Sequence, residues 1–258
     1  MHPVLFEIGG LKLYSYTFFF SLAFVVGLWT TKKEALSLGL GQEKIHRLFI
    51  PIFVFSLIGA RVYYALGAYL YTQQNLPFWS LLTRGGLAFY GGFIGATLFL
   101  LLIPPRTWIE KSRLFNAFAP ALALSQAIGR FGCFLNGCCH GKSCPLPWGV
   151  KIPVKQGEPG WGLLHHPSQA YEIIGLFIVF FLCRQANRRS SPKRPAWLIY
   201  LFCYGSLRFL VEFSRGDDIR GFMGPLSLSQ WFSLLLITLS VFLDLWAKRN
   251  HNQEPNEA

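Results

Sequence analysis

The 258-residue chain is 52% hydrophobic and only 14% charged, whereas soluble domains carry about 25% charged residues. This balance excludes an ordinary soluble protein and indicates a membrane protein. The net charge of +12 falls in short basic clusters between apolar runs, without a nucleic-acid recognition module, so we expect no nucleic-acid partner. Membrane topology and anionic membrane lipids account for the charge instead.

Long apolar runs predict the fold class. A helix needs roughly 20 mostly apolar residues to cross a hydrocarbon core of about 30 Å. Seven such runs predict an all-α, polytopic membrane protein with about seven transmembrane helices. The runs extend from Tyr14 to Thr31, Ile45 to Tyr71, Leu87 to Pro104, Leu114 to Phe134, Pro167 to Cys183, Ala196 to Phe213 and Leu226 to Trp246. We expect one integral membrane domain over residues 1–250 and a polar C-terminal tail over residues 251–258.

The basic residues predict the orientation. Of the 24 Lys and Arg residues, fourteen fall on loops at one side of this topology, seven at the other side and three inside the runs. The positive-inside rule therefore predicts that the N-terminus is outside and the C-terminus inside. The first run is expected to stay in the membrane, because no basic region precedes it and Lys32 and Lys33 follow it. The longest loop, Leu135 to His166, then lies outside, where we expect the chemistry.

Arg61, Arg130 and Arg208 lie inside the apolar runs. A charge at mid-bilayer costs about 2.5–3.5 kcal/mol on insertion scales, so such groups face a bundle interior or a wet cavity. Arg61 follows Gly59 and Ala60, small residues that favour close helix packing. It therefore has a structural interpretation beside a functional one as a lipid ligand.

Arg208 and Glu212 stand four residues apart, which puts both side chains on one helical face and allows them to pair. Arg215 continues that face by one turn. A buried ion pair that only holds helices together is the alternative interpretation.

The segment Gly129–Gly141 is rich in glycine and contains Arg130. Glycines permit a tightly turned backbone, and irregular backbone at membrane depth is tolerated where it lines a cavity. We therefore expect a polar pocket in which Arg130 and Arg208 fork onto one phosphate. The segment Gly85–Gly92 either packs helices through small residues or directs the Tyr90 hydroxyl into the same pocket.

Four of the six cysteines, Cys133, Cys138, Cys139 and Cys144, lie within twelve residues. Thiolates suit zinc, but the Cys-x-x-Cys pair typical of zinc sites is missing, so we predict no metal and no cofactor. A disulfide that involves Cys144 is permitted on the outer side, and small packing residues are the third interpretation.

Six motifs occur in order along nearly the whole chain and resemble those of bacterial prolipoprotein diacylglyceryl transferases. They are His2-Pro3-Val4-Leu5-Phe6, Gly59-Ala60-Arg61-Val62-Tyr63-Tyr64, Gly85-Gly86-Leu87-Ala88-Phe89-Tyr90-Gly91-Gly92, Gly129-Arg130-Phe131-Gly132-Cys133-Phe134, His166-Pro167-Ser168-Gln169-Ala170-Tyr171-Glu172 and Arg208-Phe209-Leu210-Val211-Glu212. The resemblance implies a seven-helix enzyme of the bacterial inner membrane. It would transfer the diacylglyceryl group of phosphatidylglycerol to the lipobox cysteine of preprolipoprotein signal peptides, forming a thioether and releasing glycerol phosphate.

Matched residue by residue, the resemblance implies that Arg130 binds phosphatidylglycerol, that Arg208 and Glu212 form an essential pair, and that Tyr16 is the tyrosine of the first span. Together with the residues singled out above, this predicts a catalytic set and a lipid-binding set. The catalytic set is Arg208, Glu212, Tyr16 and Tyr90, and the phosphatidylglycerol-binding set is Arg130, Arg61, Asn136 and Arg215.

The sequence departs from the family pattern at four positions, which leaves the general base open. They are Tyr90 where some members have His, Asn116 where Asp is common, Cys133 where some have Asn, and Cys138 where some have Glu. Two other functions are compatible with these residues, a non-catalytic lipid-binding paralogue and an anion or lipid transporter. A transporter predicts internal repeats, and the sequence contains none that we detect.

Overall fold

The structure is a computed structural model, and it describes residues 2–71, 89–102, 108–152, 162–189, 195–216 and 222–251. These residues contain seven helices, and each predicted apolar run overlaps one of them. The helices are α1 (Ser15–Ser37), α2 (Gln42–Tyr71), α3 (Phe89–Leu102), α4 (Trp108–Asn136), α5 (Ser168–Arg188), α6 (Ala196–Glu212) and α7 (Leu228–His251). The prediction of a helical membrane protein is confirmed.

Four stretches within these helices are long and apolar enough to cross a membrane. They are Arg47–Tyr69, Glu110–Asn136, Ser168–Arg188 and Leu228–Arg249, and a shorter apolar helix covers Gly91–Leu102. Many large apolar side chains on the helices are exposed, among them Phe20, Ile50 and Phe181, as expected of surfaces that contact lipid. The full count of seven spans and the orientation stay predictions.

Outside the helices, the described residues also contain short strands, which the sequence analysis did not predict. They form three antiparallel pairs, β1 (Val4–Ile8) with β2 (Leu11–Tyr14), β3 (Val150–Lys151) with β4 (Leu164–His165), and β5 (Phe222–Met223) with β6 (Leu226–Ser227). The first pair turns at Gly9 and Gly10, which both have positive φ. A two-residue hairpin loop favours this conformation, and glycine adopts it readily.

The chain divides into two compact units, one made of Met1–Leu38 with Leu114–Ala258 and the other of Gly39–Arg113. In the second unit, α2 and α3 approach each other through glycine. A Cβ atom placed on Gly59 would collide with the carbonyl oxygen of Gly91 and lie 3.0 Å from Gly95 Cα. Small residues at such crossings let helix backbones come together, which favours association in membranes.

In the first unit, α1 packs closely against α4. A Cβ atom on Gly132 would lie 3.0 Å from Phe19 Cβ and 3.4 Å from Tyr16 Cα. Further along the same pair of helices, the Ser125 hydroxyl donates a hydrogen bond of 2.9 Å to the Ala23 carbonyl oxygen. Because Gly132 has no side chain, Tyr16 comes close to the end of α4.

A polar cluster joins α1, α4, α5 and α6. Glu34, 5% exposed, contacts Arg184 Nε at 3.3 Å and accepts a hydrogen bond from Asn187 Nδ2 at 3.0 Å. Asn187 also donates to the Asn116 carbonyl oxygen at 2.9 Å, and Asn116 Oδ1 accepts from the backbone N–H of Trp197 at 3.3 Å. Trp197 lies in the first turn of α6, whose N–H groups lack partners within the helix, so Asn116 supplies one.

The glycine crossing in the second unit gives a stability prediction. We expect Gly59→Ala to lower the free energy of unfolding by about 1–3 kcal/mol, because the added methyl group meets backbone that cannot rotate away. Gly67→Ala on the same helix is the control, since a Cβ there meets nothing within 4 Å. It should be neutral or raise stability by up to about 1 kcal/mol. Unfolding in detergent micelles measures both, and equal behaviour of the two variants would contradict the close approach.

Candidate active site

Glu172 is the centre of a buried ionic cluster. It lies in the second turn of α5 and is 3% exposed. One carboxylate oxygen, Oε2, contacts Arg130 Nε, while Oε1 lies 3.1 Å from Arg208 Nη1 and 3.3 Å from Arg215 Nη1. One carboxylate therefore joins guanidiniums from α4, α6 and the segment that follows α6.

Glu212 is the second carboxylate of the cluster. Its Oε2 lies 2.6 Å from Arg208 Nη2 and 4.0 Å from Arg215 Nε. Its Oε1 accepts a hydrogen bond of 2.9 Å from the Ser227 hydroxyl, at the start of α7. The ion pair between Arg208 and Glu212, expected from their spacing of four residues, is present.

The arginine–glutamate cluster, defined here as Arg130, Glu172, Arg208, Glu212 and Arg215, contains three cations and two anions. One net positive charge remains. A buried charge is costly unless it is paired, so the cluster favours an anionic ligand that supplies the missing negative charge.

Arg130 is the most accessible cation of the cluster. Its side chain is 22% exposed, against 3% for Arg208 and 4% for Arg215. Its Nε contacts Glu172, which holds one edge of the guanidinium. The Nη edge of an arginine can bind a phosphate through two parallel hydrogen bonds.

The end of α4 turns as the glycine-rich segment predicted. Gly137 has a φ of 77°, its N–H donates to the Phe134 carbonyl oxygen at 3.2 Å, and the Cys138 N–H donates to the Cys133 carbonyl oxygen at 3.2 Å. These two bonds form a Schellman motif with glycine at C′. The helix therefore ends at Asn136 and the chain folds back.

Hydrogen bonds fasten the loop after α4 to α5 and α6. The Gln169 side-chain amide donates to the Cys138 carbonyl oxygen at 2.6 Å. The Gly141 N–H donates to the His166 carbonyl oxygen at 2.8 Å, and the Lys142 N–H donates to the Ser214 carbonyl oxygen at 2.9 Å. This loop thus holds the helix ends that carry the arginines and glutamates of the cluster.

Three cysteines meet at this turn. The Sγ atoms of Cys133, Cys138 and Cys139 lie within 4.8 Å of one another. Hydrogen bonds from the thiols of Cys133 and Cys138 lower the pKa of the Cys139 thiol, and the nearby charges of Arg130 and Arg215 lower it further.

Cys144 is buried and free, which favours the packing interpretation over a disulfide through this residue. The other cysteines are free as well.

The structure brings four of the eight predicted site residues into the arginine–glutamate cluster: Arg130, Arg208, Glu212 and Arg215. Tyr16 and Asn136 lie beside it. Tyr16, with 45% of its surface exposed, is within electrostatic range of Arg130 and the three clustered thiols, and Asn136 hydrogen-bonds to the Cys138 thiol.

Arg61 and Tyr90 belong to the other unit. Arg61 lies half-buried on α2, and Tyr90 lies in the first turn of α3 with a side chain outside the described residues. Their predicted roles stay predictions.

Sequence reasoning missed Glu172 and Gln169 as site residues, although both stand in one of the quoted motifs. The signal was present, since Glu172 is a charged residue inside an apolar run, as the three arginines are. Intramembrane ionisable residues indicate a functional site by default. Ser229 of α7, whose hydroxyl accepts a hydrogen bond of 3.3 Å from Arg208 Nη2, and Ser227 were also missed, because isolated serines carry no such signal.

The fold and the cluster define a helical integral membrane protein with a buried cationic centre. Residues 3–246 match the prolipoprotein diacylglyceryl transferase family, and the chain belongs to this family. The resemblance inferred from the six motifs is thereby confirmed.

Relatives of similar length carry the same family name. The phosphatidylglycerol–prolipoprotein diacylglyceryl transferase of Clostridium tetani is 30% identical over 94% of this chain and 96% of its own. The corresponding protein of Finegoldia magna is 30% identical over 96% and 97%, and that of Erwinia tasmaniensis is 30% identical over 98% and 94%.

The central position of Glu172 gives a second stability prediction. We expect Glu172→Gln to lower the free energy of unfolding by about 3–5 kcal/mol, because it leaves buried guanidiniums without their common anion. The control is Glu43→Gln, which removes an exposed pair with Arg47 on α2 and should cost less than about 1 kcal/mol. Thermal unfolding of the purified protein in detergent measures both. A similar small loss in the two variants would mean that Glu172 does not hold the cluster together.

Proposed function

We propose that this chain transfers the diacylglyceryl group of phosphatidylglycerol to the lipobox cysteine thiol of preprolipoproteins. The products are a thioether-linked lipid and glycerol phosphate. The observation that carries this proposal is the arginine–glutamate cluster, whose net positive charge suits one phosphodiester anion. Membership of the transferase family and the names of the relatives support the same reaction.

Arg130 binds the lipid phosphate in this proposal. Its side chain is the most accessible of the three arginines in the cluster, and its Nε is held by Glu172, so the guanidinium is oriented before the lipid arrives. As the phosphodiester becomes glycerol phosphate, negative charge grows on the leaving oxygen. A preorganised guanidinium stabilises such developing charge.

Arg208 and Arg215 support the cluster in this proposal and do not contact the phosphate. Both are nearly fully buried, and both contact Glu172 and Glu212. Their observed contacts favour a role in fixing the carboxylates and supplying positive potential. The sequence analysis expected Arg130 and Arg208 to bind one phosphate together. In this proposal Arg130 contacts the phosphate and Arg208 positions the cluster.

The chemical step is a nucleophilic substitution at a glyceryl carbon. The acceptor thiol, with an ordinary pKa near 8.5, gives up its proton and attacks as a thiolate. The carbon–sulfur bond forms, the carbon–oxygen bond to phosphate breaks, and its electron pair leaves on the phosphate oxygen. Tyr16, beside Arg130, is placed to donate a hydrogen bond to a phosphate or glycerol oxygen.

Glu212 orients Arg208 in this proposal and does not move the proton. Each of its carboxylate oxygens already has a partner, Arg208 on Oε2 and the Ser227 hydroxyl on Oε1. With both oxygens engaged, Glu212 is placed to hold Arg208 in this proposal and not to take the proton of the acceptor thiol.

The topology completes the proposal. We place the N-terminus outside and the C-terminus inside, with seven spans in the bacterial inner membrane, because fourteen Lys and Arg residues fall on the side assigned to the cytoplasm and seven on the other. The turn after α4 and the arginine–glutamate cluster then open to the outer leaflet. Phosphatidylglycerol and the signal peptide of a translocated preprolipoprotein meet there.

Arg130 gives the first test. Membranes or detergent-solubilised protein receive labelled phosphatidylglycerol and a lipobox peptide, and thioether-linked lipid on the peptide is measured by mass spectrometry. We expect Arg130→Ala to lower the transfer rate by about 100-fold or more, as the loss of a charge-stabilising donor does. Arg130→Lys should recover little, because an ammonium group does not offer a bidentate fork.

The matched control for the Arg130 variants is Arg47→Ala, which removes an exposed arginine paired with Glu43 and should retain wild-type transfer. Normal transfer by Arg130→Ala would overturn the phosphate contact. Lipid binding without any product from folded wild-type protein would favour the non-catalytic paralogue.

Glu212 gives the second test. We expect Glu212→Gln to lower the turnover rate by roughly 10- to 100-fold, because Arg208 loses its orientation, while the pH dependence of turnover keeps its shape. A variant whose turnover no longer responds to pH as wild type does would instead assign the proton transfer to Glu212.

A further inference from the structure

The proposed reaction leaves one group of side chains without a role, the thiol cluster formed by Cys133, Cys138 and Cys139. Cys133 lies in the last turn of α4, and the other two lie in the turn that follows. All three Sγ atoms lie within 4.8 Å of one another. The Cys-x-x-Cys spacing typical of zinc proteins is missing, yet the Schellman turn brings the sulfurs together by folding the chain back over its own helix end.

The backbone of the turn is held in the conformation that gathers the thiols. Cys139 is the one residue other than glycine with positive φ in the described part of the chain, at 63°, and this region is unusual for a residue with a Cβ atom. The preceding carbonyl oxygen, of Cys138, accepts a hydrogen bond from Gln169, which is itself 1% exposed. A disfavoured conformation fixed by a buried partner is typical of functional sites.

The spacing of the sulfurs fits a small thiophilic ion. A zinc–sulfur bond of about 2.3 Å in tetrahedral geometry places two ligand sulfurs roughly 3.8 Å apart. The observed limit of 4.8 Å therefore needs a contraction of at most about 1 Å, which side-chain rotations supply.

The charges of the surroundings fit as well. A divalent ion with three thiolates carries one net negative charge, which favours cationic neighbours. Arg130 and Arg215 lie close enough to Cys139 to interact with it electrostatically. Guanidiniums that face a metal–thiolate group offset the cost of its partial burial.

We propose that Cys133, Cys138 and Cys139 bind one thiophilic metal ion of the zinc and cadmium class. Each thiol gives up its proton to solvent when it ligates the ion. Three protein ligands leave the fourth tetrahedral position open to water or another ligand. Binding would fix the end of α4, and with it the Arg130 side chain. The sulfurs number three, so a single disulfide among them would leave one thiol over, whereas one ion takes all three.

Cadmium titration of the reduced, metal-free full-length protein in detergent tests the proposal through the ultraviolet charge-transfer absorption of cadmium–thiolate bonds. We expect one Cd²⁺ per chain. Cys133→Ser, Cys138→Ser and Cys139→Ser should each weaken binding by more than about 100-fold, beyond the roughly 10- to 100-fold typical of changes outside the ligand set. Cys203→Ser, which alters a half-buried thiol on α6, should bind as wild type does.

A second measurement uses the wild-type protein and needs no variant. The wild-type protein is alkylated with and without Cd²⁺, and the modified cysteines are identified by mass spectrometry. The ion should protect the three clustered thiols and leave Cys203 as reactive as before. An absent absorption band, binding that survives all three serine substitutions, or alkylation that ignores Cd²⁺ would each overturn the proposal. These readouts measure metal binding alone, so their outcome is independent of the transferase assay.

Discussion

The attachment of three guanidiniums to one buried carboxylate is the constraint on which the rest of this site depends. Glu172 draws Arg130, Arg208 and Arg215 together from three parts of the chain. Without a shared anion, three buried cations would repel one another at close range. The five residues of the cluster together carry one net positive charge, which favours the binding of one phosphodiester anion.

Helix ends, more than helix faces, bring this cluster together. Four helices contribute their ends: the last two turns of α4, the first turns of α5, the end of α6 and the start of α7. Each end needs partners for backbone groups that the helix leaves unpaired. Gly137 supplies the turn after α4, and Gln169 binds that turn to α5. The hydrogen bonds that cap the helix ends therefore also set the distances between the charged groups. A substitution that disturbs a cap is expected to disturb the site as well.

Sequence patterns predicted the helices of the described residues and four of the five residues of the arginine–glutamate cluster, for identifiable physical reasons. An apolar run of about 20 residues has few alternatives to a membrane helix, and a charge inside such a run is costly enough to indicate function. The spacing of Arg208 and Glu212 also predicted their ion pair. The short hairpins were missed because strands of two to five residues leave little periodic pattern. Glu172 carried a signal as a charge inside an apolar run, but residue spacing does not reveal its partners, which lie in other parts of the chain.

Residues that the resemblance marks as departures from the family pattern have defined contacts in the structure. Asn116 uses its side-chain oxygen to accept a hydrogen bond from the Trp197 N–H and its carbonyl oxygen to accept one from Asn187. An amide satisfies this position without adding a second carboxylate next to Glu34. Cys133 and Cys138, which the resemblance marks as departures from the family pattern, lie together beside Arg130. Thiols at these positions add no carboxylate to the two that the arginine–glutamate cluster already contains.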